Sequence, residues 1–118
     1  MYNLVKIGDK AVPMLCMAST DLYYKNIFHS DPLPEIEKAG ETDAIGIFQR
    51  MAFVMAKFAE LHDRKKMLML SEDDFLAWLD NFERGELMEA LGDVQKTYLG
   101  QSVTEATAKK NNDEPSET

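Results

Sequence analysis

The residues of this chain best equipped for chemistry are two histidines, one cysteine and a short acidic run. His62 lies in "LHDRKK" beside Asp63. A general acid–base pair needs convergent side chains, and sequence neighbours point to different sides of a helix. His29 has no H-x-x-x-H partner, and a lone Cys16 leaves no second thiol for a zinc site or an internal disulfide. Cys16 sits in an apolar run and reads as a small buried hydrophobe. "SEDD" at residues 71–74 lacks the spaced oxygens and the glycine of a calcium loop. It reads instead as a helix first turn, where the dipole favours negative charge. Neither a phosphate-binding P-loop nor a dinucleotide fingerprint occurs, and the six glycines are scattered singly. No catalytic, metal or cofactor-binding set is expected, and the chain reads as a non-enzyme.

Charge narrows the partners. The formal net charge is −8 over 118 residues. Nucleic-acid affinity comes largely from neutralising phosphates with Lys and Arg, so nucleic acid and anionic membrane surfaces are disfavoured. Arg64-Lys65-Lys66 is the only dense basic cluster. No apolar run approaches the ~18 residues of a membrane span, and the N-terminus shows no signal-peptide pattern, so a cytoplasmic protein is expected.

The elements follow from periodicity and punctuation. Tyr2–Ile7 and Ala11–Leu15 flank Gly8-Asp9-Lys10 and predict a β-hairpin, with Pro13 restricting its strand to an edge. Ser19 or Thr20 starts a short helix to about His29, which the prolines at 32 and 34 stop, with one further turn expected over Glu35–Ala39. A long helix runs from Thr42 or Asp43 to about Asp63, with Ile45, Phe48, Met51, Ala52, Met55 and Ala59 on one face. Ile47, Val54, Phe58 and Leu61 widen that face past half the circumference, which makes the helix central to the domain or shared with a partner. Ser71 starts a helix striped by Phe75, Trp78, Leu79 and Phe82, and another runs from Glu86 to about Leu99, with Gly100 just past its end. Trp78 is expected to be largely buried against the helix of Phe48 and Met55. The fold class is α+β: an N-terminal hairpin on a mainly helical body over residues 1–100, then a flexible acidic tail over 101–118. The tail is rich in Ser, Thr, Lys, Asn and Glu, a disordered composition.

Two features exceed what a core needs. Phe53 lies off the main stripe, on the side of Gln49, Lys57 and Glu60, and Met67-Leu68-Met69-Leu70 is too short for a clear stripe. With Val54, they define an expected partner-binding surface: Phe53, Val54, Met67 and Met69. A core position for Phe53 is the competing reading. Methionine is flexible enough to serve an adaptable apolar surface, although at least half of the methionines are expected in the core.

Three stretches in order carry a resemblance: "VKIGDKAVPMLCMASTDLYYKNIFHSD", "MAFVMAKFAE" and "FLAWLDNF". They are similar to the hairpin and tyrosine-rich helix, the core helix and the leucine-tryptophan-leucine helix of the tail assembly chaperones of long-tailed, siphovirus-type phages and prophages of Gram-positive bacteria. The resemblance covers most of residues 4–82, and the order and spacing of the motifs carry it. It implies a non-enzymatic chaperone in the bacterial cytoplasm, absent from the mature virion, that binds the tape measure protein and promotes tail tube assembly. It further implies a longer form made by ribosomal frameshifting, through which the tail tube protein is recruited. Lys109-Lys110 in the tail is compatible with a slippery codon tract. Self-association stays open. The competing class is a small acidic regulatory protein of a phage or its host, an inhibitor or a DNA mimic.

Overall fold

The computed structural model describes residues 1–103, apart from the side chains of residues 41–43. Two strands and six helices follow in order: β1 (Tyr2–Ile7), β2 (Lys10–Leu15), α1 (Thr20–Phe28), α2 (Pro32–Lys38), α3 (Glu41–Leu61), α4 (Arg64–Leu68), α5 (Glu72–Leu79) and α6 (Arg84–Tyr98). The architecture is α+β, a two-stranded antiparallel hairpin packed on a mostly helical body.

The hairpin forms as its sequence dictates. Ile7 pairs with Lys10 around a two-residue loop, and positive φ is confined to Gly8, at 65°, the pattern of a type II′ turn. A side chain at Gly8 would also collide with the Glu86 carboxylate. Counting from the Ile7–Lys10 pair, Leu4–Pro13 falls at a position whose backbone groups point away from the partner strand, so Pro13 costs the ladder nothing. Asn3, Val5, Ile7 and Met14 face inward, β2 packs on α3, and β1 packs on α6. Lys10 fastens the hairpin tip to the α5–α6 junction, donating to the Asn81 carbonyl at 2.9 Å with its ammonium 5.2 Å from the Phe82 ring centre.

Helix α3 organises the rest. Six consecutive residues, Met51 to Ala56, are buried, which an amphipathic surface helix cannot achieve. The hairpin and α6 cover one side of α3, while α1, α4 and α5 cover the other. Phe53 points into this second side and is fully buried. Its ring meets Phe28, Phe75 and Trp78 at 6.5, 5.6 and 5.8 Å between centroids. Of the two readings of Phe53, the core position holds and the surface assignment is corrected, because the helix has two buried faces rather than one. Trp78 is largely buried as expected, but it rests on α3 through Phe53, while Phe48 on the other side meets Tyr98.

Helix ends account for both histidines. His29 and His62 occupy left-handed conformations at the C-caps of α1 and α3, with φ of 64° and 49°. Their backbone N–H groups return to Lys25 and Phe58. Histidine is among the few non-glycine residues enriched in this conformation. Helix α5 opens with a capping box between Ser71 and Asp74. The prolines at 32 and 34 do not exclude a helix but begin one, because first-turn N–H groups have no intrahelical partner to lose. At the end of α6, Gly100, at φ 80°, carries a Schellman motif, in which Gln101 N–H bonds the Lys96 carbonyl and Gly100 N–H the Thr97 carbonyl.

Beyond that cap the chain is held once more. Buried Asn3 donates to Thr97 Oγ1 at 2.8 Å and to the Gln101 carbonyl at 2.9 Å, and its Oδ1 accepts from Val103 N–H at 3.2 Å. Ordered contacts thus continue to Val103, three residues past the expected domain boundary at Gly100. The remainder of the expected flexible tail, Lys109-Lys110 included, lies outside the described residues.

Candidate functional site

The groups with perturbed acidity are poorly disposed for catalysis. Burial raises the Cys16 thiol above its ordinary value, and its Sγ contacts the Tyr98 carbonyl at 3.7 Å. Burial, and then the Asp21 carboxylate that accepts from its hydroxyl at 3.1 Å, pushes the Tyr98 phenol well up. Burial likewise raises Tyr24, which donates to Glu35 Oε1 at 3.1 Å and accepts from Arg50 Nε at 2.9 Å. A general acid or base works best with a pKa near the operating pH, and each of these groups moves away from neutrality toward its uncharged form. Arg50 completes its environment by lying over the Tyr24 and Phe28 rings, at 5.9 and 5.6 Å. This reads as a packing cluster joining α1, α2 and α3. Among the described residues, no group of three or more His, Cys, Asp or Glu side chains is placed to hold a metal ion. No described helix is long and apolar enough to cross a membrane.

A cleft of about 400 Å3 opens where the α2–α3 junction meets α6, floored by Ile36, Ala44, Ile45, Phe48 and Leu91. Its one polar side chain is Gln95. It has shape without chemistry.

The expected partner surface is redistributed. Phe53, Val54 and Met67 are each fully buried, whereas Met69 is 81% exposed. Met67 turns inward because α4 is a single turn that packs against α1 and α3, capped by the Asp63 carboxylate on Lys66 N–H at 3.1 Å. Met14, Met51 and Met55 are also fully buried, so Met17 and Met69 are the methionines that present substantial area beyond the terminal Met1. The surface that does exist joins α1 to α4. Asn26 donates to the Leu68 carbonyl at 3.1 Å, which places Leu68 and Met69 against α1. Leu22 lies one turn before Asn26 on the same side of α1 and is 68% exposed, and Leu68 is about half exposed, at 49%. Leu22 on α1 and Leu68 and Met69 at the end of α4 are thus exposed apolar residues flanking the Asn26–Leu68 contact. Beside it runs a shallow cleft lined by Asn26, His29, Leu68, Leu70, Glu72 and Asp73.

Leu22 and Leu68 were missed by sequence reasoning, yet Leu22 had a signal. At ~100° per residue, Thr20, Tyr23, Tyr24 and Ile27 share one face of α1, and Leu22 lies opposite. The wheel argument that misplaced Phe53 would have placed Leu22 correctly, because α1 has one covered face and α3 has two.

Comparison of the chain with protein-family models, with curated proteins and with solved structures finds no match in any of the three.

Proposed function

We propose that this chain is a phage tail assembly chaperone, a non-enzymatic protein that binds the tape measure protein before the tail tube polymerises around it. Two things support the reading. The first is the ordered resemblance of the hairpin, core-helix and tryptophan-helix stretches. The second, and the observation that carries it, is the exposure of Leu22, Leu68 and Met69 on either side of the contact between α1 and α4, Met69 being the most exposed large apolar residue among those described. Single exposed apolar residues are ordinary, so the reading requires that these three be covered together by one client.

The magnitude suits a holder rather than a permanent subunit. Covering a Leu or Met side chain contributes about 1.5–3 kcal/mol, so three partly exposed ones supply roughly 3–6 kcal/mol before association costs of similar size. A client helix needs further contacts to reach micromolar affinity, and it can be released when the tube subunits arrive. The net charge of −8 keeps such a surface soluble. On this reading the protein acts in the bacterial cytoplasm and is left out of the virion, and a longer frameshifted form recruits the tail tube protein.

The test is co-expression of the chain with successive fragments of the tape measure protein encoded near it, followed by size-exclusion chromatography. Co-elution with at least one helical fragment is expected. If no fragment co-elutes although each is soluble and the chain is folded, the proposal fails, and the regulatory alternative takes its place.

A further inference from the structure

We propose that two copies of this chain associate through the open edge of β1, the two β1 strands running antiparallel about a two-fold axis at Leu4 to make one four-stranded sheet. The inference concerns a different face of the molecule from the client reading and does not rest on it.

The register of the hairpin decides which main-chain groups are free. Met1 and Cys16 exchange both bonds, the Met1 ammonium donating to the Cys16 carbonyl at 2.8 Å and Cys16 N–H to the Met1 carbonyl at 2.9 Å. Such pairs alternate along an antiparallel ladder, so Asn3, Val5 and Ile7 also bond to β2. The N–H and C=O groups of Tyr2, Leu4 and Lys6 therefore point out of the sheet edge, and among the described residues no main-chain group meets them. The two edges of the hairpin are not equivalent. Along β2 the outward positions are Ala11, Pro13 and Leu15, and Pro13 at the centre has no N–H to offer. Along β1 every outward position keeps both donor and acceptor, which makes it a template for a further strand.

That strand is its own complement. Pairing centred on Leu4 sets Leu4 opposite Leu4 of the second copy and Tyr2 opposite its Lys6, and each opposed pair exchanges both main-chain bonds. The Lys6 ammonium is then within reach of the facing tyrosine ring, and like charges never stand opposite one another. An axis at Lys6 opposes two cations, and an axis at Tyr2 leaves Lys6 without a partner. The side chains agree with this register. Tyr2 and Leu4 are 56% and 51% exposed on the outer face, and Leu4 lies beside exposed Pro13 across the hairpin. Joining two hairpins continues that apolar row across the axis. Residues 1–15 carry Lys6, Asp9 and Lys10 as their charged side chains, so the net charge of −8 resides elsewhere in the chain. One strand pair buries less than the ~1,600 Å2 of a standard interface, and a dissociation constant of roughly 10–100 µM is expected.

The test is sedimentation velocity of the full chain from about 5 to 500 µM in ~0.5 M salt, where repulsion between two acidic chains is screened. A monomer–dimer transition ending at the dimer is expected. Leu4→Pro removes the N–H at the axis while leaving the hairpin ladder intact, as Pro13 does, and should stay monomeric with an unchanged melt. Tyr2→Lys sets like charges opposite and should weaken the dimer about tenfold, and Tyr2→Lys/Lys6→Glu should restore it. Residue-resolved exchange should show the Leu4 and Lys6 amides unprotected at ~5 µM and slowed at least threefold at ~500 µM. A chain monomeric throughout, open-ended oligomers, or a dimer unaffected by both Leu4→Pro and Tyr2→Lys overturns the inference. Protection of these amides already in the monomer also overturns it, for the chain then covers its own edge. A dimer in which they stay unprotected lies elsewhere and overturns it as well.

Discussion

Phe53→Ala separates a core residue from a binding residue more sharply than any other substitution in this chain. The ring is fully buried and bounded by Phe28, Phe75 and Trp78. Truncation removes roughly 150 Å2 of buried apolar surface, worth about 4 kcal/mol at ~25 cal/mol per Å2, within the ~3–5 kcal/mol measured for buried Phe→Ala changes that leave a cavity. Edge-on contacts with three rings place the cost toward the upper end. A domain of this size has a total stability of about 5–15 kcal/mol, so the variant is left partly unfolded or nearly so on warming. The assay is guanidinium denaturation followed by fluorescence of Trp78, the one tryptophan of the chain. Its ring lies 5.8 Å from that of Phe53, so it reports the site directly. Phe53→Leu should recover most of the loss, since it refills much of the volume. If Phe53→Ala stays within about 1 kcal/mol of wild type and instead abolishes capture of a client, the two-faced packing of α3 is wrong and Phe53 belongs to the binding surface.

Other perturbations bear on the remaining parts of the fold. Asn3→Ala removes three hydrogen bonds from a buried amide and should cost about 1–3 kcal/mol, with faster hydrogen exchange at the Val103 amide as the specific sign that the clamp has opened. His29→Gly relieves a left-handed L-residue and should stabilise the domain by about 0.5–1 kcal/mol in thermal melts, whereas unchanged or lower stability would show that the imidazole itself contributes. Gly8→Ala should destabilise, because the position has positive φ, even though the flexible Glu86 carboxylate can swing out of the way of a methyl; an unchanged melting temperature would contradict the tight turn. The lowered acidities of Tyr98, Tyr24 and Cys16 favour the protonated forms in the folded state, so their contribution is complete below the unfolded values and falls as pH rises through the folded ones. Stability should therefore decline on the alkaline side from about pH 9 to 10 upward, and Tyr98→Phe should flatten that limb in pH-dependent denaturation.

Much of the fold was legible because its signals are local. The Gly8-Asp9 turn, the Ser71 cap with its acidic first turn and the Gly100 helix stop all act over a few residues, and each produced the expected element end. The turn expected over Glu35–Ala39 instead begins at Pro32, since a helix-breaking residue in mid-helix is a helix-starting one at the first turn. The burial of Phe53 is a different kind of failure. A periodicity test reads one helix at a time, whereas Phe53 is covered by α1 and α5, which come from either side of it in the sequence. Asn3 shows the same limit, for nothing near it in the chain announces that it will hold residues 97, 101 and 103. Of the four residues expected at the partner surface only Met69 is there, because Met67 is claimed by the core as α4 packs down, while Leu22 and Leu68 supply the area instead.

The central claim, that this chain holds a helical client on the surface between α1 and α4, is tested most directly by hydrogen exchange of the full chain with and without a captured tape measure fragment. Slower exchange is predicted in peptides spanning residues 20–28 and 64–70, with the hairpin and α6 unchanged. Slowing confined to the hairpin or to the α2–α3–α6 cleft, with residues 64–70 unaffected, would contradict it.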